Sequence, residues 1–495
     1  MIVEFILGVS VSLGFFVILK LSGITDSINS WILSTSKFVY FSGHPLMDDD
    51  EIFSRIKNQF KGVFIGIVVV LAKIFILIAS IIILVIIASV IEMAFTTGKL
   101  PNFKIENLGD YIRAKFIFEI PFLIGTISPL VFMSIFRKKI VKKNNVYSPI
   151  DKFLHYVFLG NKNVALFLLK LEFGINKRLL NTNLNNKNVY VSGLARAGTT
   201  VLMQYLGQLD DFKSLSYQNL PFLFLPKSGT TFVSGNNTKT VERYHKDGVG
   251  HNIRSYEALE EPFWRNYIGQ DYITDTFLNQ HNIPENVYDK YNKFRKLVSK
   301  EKIYLAKNNN HLLRAESLRL LDLKNGNQTI TIIPFRNPLE QSASLLKQHK
   351  FLSRMQSDDD FVLDYMNFLV HHEFGLNAKP FKFDHNLEIQ YSQNKIEYWM
   401  ELWFHFYDNI YTKFSSKKEE YLFFCYESFV EFPAESLNIL FDSLDLPKGS
   451  ADKVSVRKYD MKSNSGNKVY NLKFSELYLK LKKESINGML DGQNH

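Results

Sequence analysis

A loop bounded by two glycines follows a short apolar run near the middle of the chain. Residues 189–202 read VYVSGLARAGTTVL, and Gly193 and Gly198 stand five positions apart. In loops with this spacing, backbone amides converge on a phosphate at the N-terminus of the following helix. The sequence therefore predicts a phosphate site between a strand and a helix. The alternative for such a glycine pair is an ordinary tight turn.

The residues after the second glycine differ from those of an ATP-binding loop. A Walker A loop places a lysine there to reach the β and γ phosphates, but this chain has Thr199, followed by Thr200 where the magnesium-binding hydroxyl would stand. The loop carries its cation inside instead, at Arg196 beside Ala197. This arrangement favours a single phosphate that bears one transferable group, and it argues against the alternative of a P-loop ATPase or kinase.

A second pattern that could bind an anion lies further along the chain. Residues 331–346 read TIIPFRNPLEQSASLL, an apolar strand that ends at Arg336, with Pro338 at the expected first turn of a helix. Ser344 stands eight positions after Arg336, about two helical turns on, so its hydroxyl is expected near an anion that the guanidinium clamps. Taken alone, an ordinary ion pair and a helical serine without function are the alternatives.

With these two patterns the chain resembles the sulfotransferase family over residues 188–447. VSGLARAGTT resembles the family's 5′-phosphosulfate loop, with an alanine where serine is frequent, and FRNPLEQSAS resembles its 3′-phosphate motif. The resemblance implies that the donor co-substrate is 3′-phosphoadenosine 5′-phosphosulfate (PAPS) and that no metal is required. It assigns donor binding to Arg196, Ala197, Gly198, Thr199, Thr200, Arg336 and Ser344.

The resemblance also implies a mechanism. Sulfuryl transfer is an in-line displacement in which charge builds on the bridging oxygen of the leaving nucleotide, and cations aimed there give the main catalytic effect. Arg196 is expected in that role. Lys307, in YLAKNNNHLLR, resembles the family's strand-end lysine and is expected to assist Arg196. Glu427, in CYESFVEF, resembles the glutamate of the family's late tyrosine–glutamate strand and helix. Many members place a catalytic histidine two residues after that lysine, where this chain has Asn309.

The general base must therefore come from elsewhere in the chain. Glu260 and Glu261, in SYEALEEPFWRNYIG, are the first candidates for a catalytic role, because the adjacent proline and aromatic residues would form a partly apolar cleft that raises a carboxyl pKa. Paired glutamates at a helix end are more often solvated, which is the alternative. His311 and His349 are further candidates for the base.

Short apolar runs alternate with longer helical patterns from residue 187 onward. This rhythm predicts an α/β fold over residues 187–495, a P-loop-like parallel sheet flanked by helices and preceded by an α-helical transmembrane region. The last strand and one following helix are expected at residues 420–447, with Cys425, the chain's only cysteine, in the core. His371 and His372 are interpreted as a solvated helical face and not as metal ligands.

Residues 1–143 are predicted to form a membrane region with about three transmembrane helices. Residues 63–91 contain one charge, Lys73, and exceed the roughly 20 apolar residues that a spanning helix needs. Two weaker spans are expected, at residues 2–21 before this segment and at residues 116–136 after it. Loops are expected between the spans.

A basic run directly after the third predicted span indicates the sidedness of the membrane region. Residues 137–143 read RKKIVKK, with five basic residues in seven, which is typical of a cytoplasmic flank. The sequence thus predicts an integral membrane protein whose catalytic domain lies in the cytoplasm, after an amphipathic connector at residues 144–186.

The net charge of +10 indicates which partners the chain binds. Part of the excess lies in the basic run, so anionic membrane lipid is expected as a partner and nucleic acid is not. The expected acceptor is a hydroxyl of a carbohydrate or a lipid-linked glycan, and a hydrophobic small molecule or a protein tyrosine is the alternative. A non-catalytic nucleotide-binding membrane protein is the remaining alternative, and the sequence does not indicate an oligomeric state.

Overall fold

The computed structural model contains two compact units. One unit is formed by Met1–Ser42 with Asp48–Tyr156, and the other by Gly43–Met47 with Val157–His495. The structure describes residues 2–97, 147–181, 186–231, 241–242, 250–251, 255–383, 388–447 and 472–490. The third predicted span and the basic run after it, residues 116–143, lie outside these ranges.

The first unit is helical where it is described. The helix α3 (Asp49–Thr97) is long and apolar enough to cross a bilayer, and most of its apolar side chains are exposed. It has 49 residues, which is about 73 Å of helix, and it contains the second predicted span. The helices α1 and α2, bent by 44° at their junction, pass the same test as a pair. The helices are α1 (Ile2–Ser22), α2 (Ile24–Phe41), α3 (Asp49–Thr97) and α4 (Pro149–His155).

The segment between the first two predicted spans does not form the expected loop. It folds into α2 and the beginning of α3, and these helices pack so closely that a Cβ atom at Gly66 would lie 2.9 Å from the indole of Trp31. The break between α1 and α2 falls at Gly23, which has a left-handed backbone (φ 57). Lys73 donates to the Gly23 carbonyl at 3.2 Å, so this charge in an apolar helix has a backbone partner.

The second unit is built on a five-stranded parallel sheet with the order β2–β6–β1–β7–β9. β6 and β9 are buried along their whole length, as their apolar composition requires in a sheet covered on both faces. The strands are β1 (Lys187–Val191), β2 (Phe212–Lys213), β3 (Val241–Glu242), β4 (Gly250–His251), β5 (Leu278–Asn279), β6 (Ile303–Lys307), β7 (Gln328–Phe335), β8 (Phe381–Lys382) and β9 (Tyr421–Cys425).

Helices flank this sheet, which confirms the predicted fold class. They are α5 (Lys162–Ile175), α6 (Lys177–Leu180), α7 (Thr199–Leu206), α8 (Glu261–Tyr272), α9 (Glu285–Ser299), α10 (Ala315–Lys324), α11 (Pro338–Asp358), α12 (Asp360–Phe368), α13 (Ile396–Phe414), α14 (Tyr426–Glu431), α15 (Pro433–Ser443) and α16 (Leu472–Glu484). Pro338 opens α11, as predicted. The one helix expected after β9 is two, because Pro433 has no N–H to continue the first and starts the second.

The central position of β1 determines where a ligand can bind. The chain passes from β1 to β2 and β6 on one side of it, and then to β7 and β9 on the other. A crevice opens at the carboxyl ends of parallel strands where the connections diverge in this way. The loop after β1 therefore lies in that crevice, between the ends of β6 and β7. The outer strand β9 is covered by Asn487, whose side chain bonds both the N–H and the carbonyl of the buried Cys425.

Candidate active site

The loop between β1 and α7 contains two residues with a left-handed backbone. Arg196 has φ 68 and Gly198 has φ 90. This conformation costs an arginine roughly 1–2 kcal/mol, so the surrounding contacts must impose it. Gly193 lies against β7, where a Cβ atom would come within 2.7 Å of the Pro334 carbonyl oxygen. Glycine is therefore required at Gly193 by the close approach of β7 and is favoured at Gly198 by its left-handed backbone.

Gln341 fixes this loop from the first turn of α11. Its buried Nε2 donates to the carbonyl oxygens of Leu194, at 3.2 Å, and Ala195, at 3.0 Å. Its Oε1 accepts from the backbone N–H of Arg336 at 3.3 Å and from the indole of Trp403 at 3.0 Å. One side chain therefore connects the loop to the end of β7. The sequence analysis missed Gln341, although its place one turn into the second motif was a usable signal.

The two predicted anion motifs meet at a hydrogen bond between Arg196 and Ser344. Arg196 Nε donates to Ser344 Oγ at 3.0 Å. The sequence predicted Ser344 beside an anion held by Arg336, whereas the structure places its hydroxyl directly against the loop arginine. Because the guanidinium is planar, fixing Nε also fixes the direction of its two terminal nitrogens. Ser344 therefore orients the cation of the loop.

Arg336 lies at the carboxyl end of β7, above the ring of Tyr426. Its Cζ is 4.9 Å from the ring centroid, and one terminal nitrogen pairs with Glu340 at 2.6 Å. Its Nε is buried and has no hydrogen-bond partner in the described part of the chain. A buried donor on a fixed cation is costly unless an anion or another acceptor satisfies it. Arg336 thus offers an unused donor at the same sheet edge as Arg196.

Tyr426 and Glu427 tie the second motif to β9. The Tyr426 ring packs on the loop so closely that a Cβ atom at Gly198 would lie 2.6 Å from its Cδ2. Glu427 accepts from the backbone N–H of Asn337 at 2.9 Å and from the hydroxyl of Tyr478 at 2.9 Å. The tyrosine–glutamate pair therefore holds the start of α11 and the loop together.

Lys307 is the last residue of β6, and its ammonium is buried next to a carboxylate. Its Nζ lies 3.3 Å from Glu257 Oε1, and Glu257 also accepts from the hydroxyl of Tyr217 at 3.0 Å. The next residue, Asn308, donates its backbone N–H to the Val191 carbonyl at 3.1 Å. The end of β6 thus lies beside the start of the phosphate loop, and the assisting role of Lys307 stays a prediction.

Glu260 and Glu261 are buried at the start of α8, where other side chains already occupy their oxygens. Glu261 receives both terminal nitrogens of Arg314, at 2.9 and 2.5 Å. Glu260 accepts from Trp264 Nε1 at 2.7 Å and from the hydroxyl of Tyr304 at 3.1 Å. Burial raises the pKa of Glu260, the direction expected from its apolar neighbours. These contacts favour a structural role for both carboxylates, and their predicted role in catalysis stays untested.

A carboxylate that the sequence analysis missed lies beside Asn309. Asn309 Nδ2 donates to Glu373 Oε1 at 2.8 Å, and the carbonyl of Asn309 accepts from Ser192 Oγ at 3.3 Å. Glu373 also lines a small cavity together with Leu194 of the phosphate loop, and His371 Nδ1 is 3.9 Å from its other oxygen. The irregular segment after α12 gave no local signal, because only the tertiary fold brings Glu373 to the loop.

The predicted histidine bases lie in the core. The ring of His311 stacks on Tyr190 with centroids 4.0 Å apart, and burial holds the pKa of His311 well below its usual value. His349 is also buried, which lowers its pKa. The interpretation of His372 as solvated is wrong: the chain leaves α12, turns at Val370 (φ 55) and buries this ring, whose pKa falls to about 3. Within the described ranges, no group of three or more metal-ligating side chains was found.

The chain is similar in structure to bacterial sulfotransferases. Sulfotransferase STF1 from Mycobacterium tuberculosis H37Rv shares 12% identity at a TM-score of 0.36, over 68% of this chain and 92% of that one. Sulfotransferase STF9 from Mycobacterium avium shares 11% identity at a TM-score of 0.39, over 74% of this chain and 85% of that one. A sulfotransferase from Alicyclobacillus acidocaldarius shares 12% identity at a TM-score of 0.30, over 61% of this chain and 94% of that one. No protein-family model matches the chain, and no curated protein matches it. The similarity is remote, so the functional conclusion depends on the site itself.

Proposed function

We propose that the chain is a sulfotransferase that moves a sulfuryl group from PAPS to a hydroxyl of an acceptor, and that its first unit anchors it to a membrane. The observation that carries the proposal is the hydrogen bond from Arg196 to Ser344, which joins the two motifs into one site. Arg336 adds a second cation with an unsatisfied buried donor at the same sheet edge. Two separate cationic positions suit a donor whose two phosphate groups stand at opposite ends of a nucleoside.

The residues present fit that donor. The loop from Gly193 to Gly198 approaches its protein neighbours too closely for a side chain at either end, and a loop of this spacing between a strand and a helix suits a phosphate. Thr199 and Thr200 begin α7, so their backbone amides and the helix dipole favour an anion there. Arg336, with its unpaired Nε, is assigned to the 3′-phosphate. In this proposal Ala197 contributes only its backbone, because its side chain is a methyl group.

The proposed reaction needs charge stabilisation and a proton acceptor. The acceptor oxygen forms a bond to sulfur while the bond from sulfur to the phosphate oxygen breaks, which releases adenosine 3′,5′-bisphosphate. Arg196 faces the negative charge that develops on that oxygen, since Ser344 fixes the direction of its guanidinium. Lys307 lies at the neighbouring strand end and is assigned the assisting role. The acceptor's proton must pass to a base as the new bond forms.

We assign the base to Glu373. Its carboxylate reaches the site through Asn309, the residue that stands where many sulfotransferases have a catalytic histidine, and it lines a cavity with the loop residue Leu194. Unlike Glu261, whose two oxygens are held by Arg314, Glu373 has an asparagine and a distant histidine as its described polar neighbours. A carboxylate with lone pairs left unoccupied is better suited to accept a proton.

Ligand-induced thermal stabilisation tests the donor site. Adenosine 3′,5′-bisphosphate without magnesium is expected to raise the midpoint of unfolding, because a ligand at 100 times its Kd stabilises the folded state by about 2.7 kcal/mol. Mg-ATP at the same concentration is expected to have a smaller effect, and the variant Arg336→Ala should lose most of the response to the bisphosphate. Stabilisation by Mg-ATP alone would favour the ATPase or kinase alternative, and stabilisation by neither would favour a non-catalytic protein.

The acceptor is proposed to be a carbohydrate or a lipid-linked glycan, with anionic membrane lipid as a further partner and no role for nucleic acid. The membrane-spanning candidate α3 supports an acceptor that is presented at a membrane. Transfer of radioactive sulfate from PAPS to the lipid-linked fraction of native membranes, compared with the soluble fraction, tests this choice. Label in the soluble small-molecule fraction alone would contradict it.

A further inference from the structure

The helix α5, at the start of the second unit, has its inner face fixed to that unit by a buried carboxylate. Glu172 Oε1 accepts from the backbone N–H groups of Lys227 and Ser228, both at 2.9 Å. Ala165 and Leu169, on the same face, are fully buried. The helix therefore cannot rotate about its axis without breaking these contacts, and the residues on its opposite face keep a defined direction.

The outer face of α5 carries an exposed apolar stripe. Phe167, Leu171 and Ile175 follow each other at four-residue intervals and are 60%, 43% and 72% exposed. Gly174 lies beside them, and a Cβ atom there would meet no atom of the chain within 4 Å. Together with Lys170 these residues line a shallow groove. Large apolar side chains grouped on one face in this way mark a binding surface.

The exposed charged residues of α5 and α6 have a single sign. The basic residues of α5 and α6 are Lys162, Lys170, Lys177 and Arg178, and all but Lys162 are exposed. The one acid in these helices, Glu172, points inward. An apolar stripe on a helix whose exposed charges are basic is complementary to the surface of a bilayer, where anionic headgroups lie above the acyl chains.

We propose that the outer face of α5 docks on the membrane, with Phe167, Leu171 and Ile175 in the headgroup–acyl boundary and the neighbouring basic residues among anionic headgroups. The same chain carries α3, a helix long and apolar enough to span a bilayer, and a spanning helix would tether the rest of the chain to the same bilayer. This surface is independent of the proposed chemistry, and it would hold for a protein without catalytic activity.

A nitroxide label at position 171 tests the proposal in the full-length protein. Cys425 is the one cysteine of the chain and is buried, so a label reacts mainly at an introduced cysteine. Leu171→Cys and Phe167→Cys are labelled in protein reconstituted into vesicles of phosphatidylcholine with phosphatidylglycerol. The matched control is Leu320→Cys, which replaces an exposed leucine of α10, a helix that bears both acidic and basic residues.

The label's collisions with oxygen and with a water-soluble nickel complex report its surroundings. At positions 167 and 171 we expect oxygen collisions to exceed those at position 320, and nickel collisions to be at least about threefold fewer. Removing phosphatidylglycerol should reduce that difference, because the basic residues lose their anionic partners. Nickel collisions equal to those of the control would place the stripe in water. Protection from both reagents would mean that protein covers it, either another part of this chain or a partner. Both results overturn the proposal.

Discussion

The two arginines of the site have different surroundings, and these imply different tasks. Arg196 lies within the loop that would hold the reacting phosphosulfate, and Ser344 orients it through Nε. Arg336 is held by Glu340 and the ring of Tyr426, and its own Nε has no partner among the residues that the structure describes. In the proposed reaction, Arg196 therefore faces charge that changes, and Arg336 faces a phosphate that does not.

Replacing Arg196 by alanine should lower turnover at least ~10²-fold, the scale of losing one preorganised stabiliser of developing charge. The fold should survive, because Arg196 is only half-buried. Steady-state kinetics together with a thermal melt measure both effects. Arg354→Ala, which removes an exposed arginine of α11, serves as the matched control. Turnover that is unchanged in a folded Arg196→Ala variant would remove this residue from the mechanism.

Replacing Arg336 by alanine should chiefly weaken donor binding. A hydrogen bond to a charged group contributes about 1.5–3 kcal/mol, so KM for the donor should rise roughly 10- to 100-fold while kcat stays nearly intact. This pattern follows because the 3′-phosphate is bound alike in the ground and transition states. Initial rates over a range of donor concentrations measure it. A lower kcat at an unchanged KM would contradict the assignment.

Replacing Glu373 by glutamine keeps the size of the side chain but removes its ability to accept a proton. We expect kcat to fall by about 10²–10⁴, the usual contribution of a general base, with donor affinity unchanged because the donor loop is untouched. The rate and the bisphosphate affinity are measured in parallel, with the exposed Glu397→Gln as the control. If Glu260→Gln abolishes turnover in a folded protein and Glu373→Gln does not, the earlier candidate is the base.

What the sequence could predict at this scale depended on local spacing. Arg196, Arg336 and Ser344 belong to patterns that can be read along the chain, and the structure brings them to one sheet edge. Glu373 and Gln341 could not be found in that way. They reach the loop through contacts with residues that are distant in sequence, and no local pattern encodes such contacts.

At the scale of elements, the site is the region where the ends of β1, β7 and β9 and the helices that follow them pack together. Gln341 holds the loop from α11, and the Tyr426 ring packs on it from the start of α14. This packed region tolerates little added volume, because its side chains and the loop are already at van der Waals distance.

A methyl group at Gly198 tests the packing of Tyr426 against the loop. In Gly198→Ala the new Cβ atom would lie 2.6 Å from Tyr426 Cδ2, at a backbone with φ 90. Gly326→Ala is the matched control, since its φ is 71 and no atom lies within 4 Å, so it has a comparable backbone cost without the contact. We expect at least a tenfold weaker affinity for adenosine 3′,5′-bisphosphate in Gly198→Ala and no change in Gly326→Ala. Equal affinities, measured by calorimetry, would mean that the loop does not bind the ligand.

The alternation of strands and helices predicted β1, β6, β7 and β9 and the helices after them, because strand and helix periodicity are local properties. The two-residue β2 was missed, since so short a strand has no period of its own. The order of the strands also was not predicted, because it depends on pairing between distant segments. The helix α2 was missed because its polar residues resembled a loop between two apolar spans.

At the scale of the whole molecule, the chain combines a membrane-spanning candidate with a second unit whose exposed face on α5 is apolar and basic. In the proposals above both features contact the membrane, but they act differently. A spanning helix fixes the chain in the bilayer, whereas a helix in the interface sets which surface of the attached unit faces the lipid. A lipid-linked acceptor would be presented at that same surface.

The last prediction concerns the side of the membrane on which the second unit lies. The residues flanking the predicted spans do not decide it, because four basic residues (Lys37, Arg55, Lys57 and Lys61) precede the long span and four (Lys99, Lys104, Arg113 and Lys115) follow it. The first four lie in helices and not in a loop, because Lys37 belongs to α2 and the other three belong to α3. The run RKKIVKK at residues 137–143, directly after the third predicted span, therefore carries the argument, since short basic segments resist translocation.

We expect the second unit to face the cytoplasm, where the nucleotide donor is made. A chain with one cysteine forms no intrachain disulfide, which agrees with that compartment. Protease treatment of sealed vesicles, with a tag at the C-terminus, measures the orientation. The tag should be digested in inside-out vesicles and protected in right-side-out vesicles or intact cells, with full digestion after detergent as the control. Digestion of the tag from the outside of intact cells would refute the cytoplasmic assignment and leave a lumenal or external site, which would need a transporter to supply the donor.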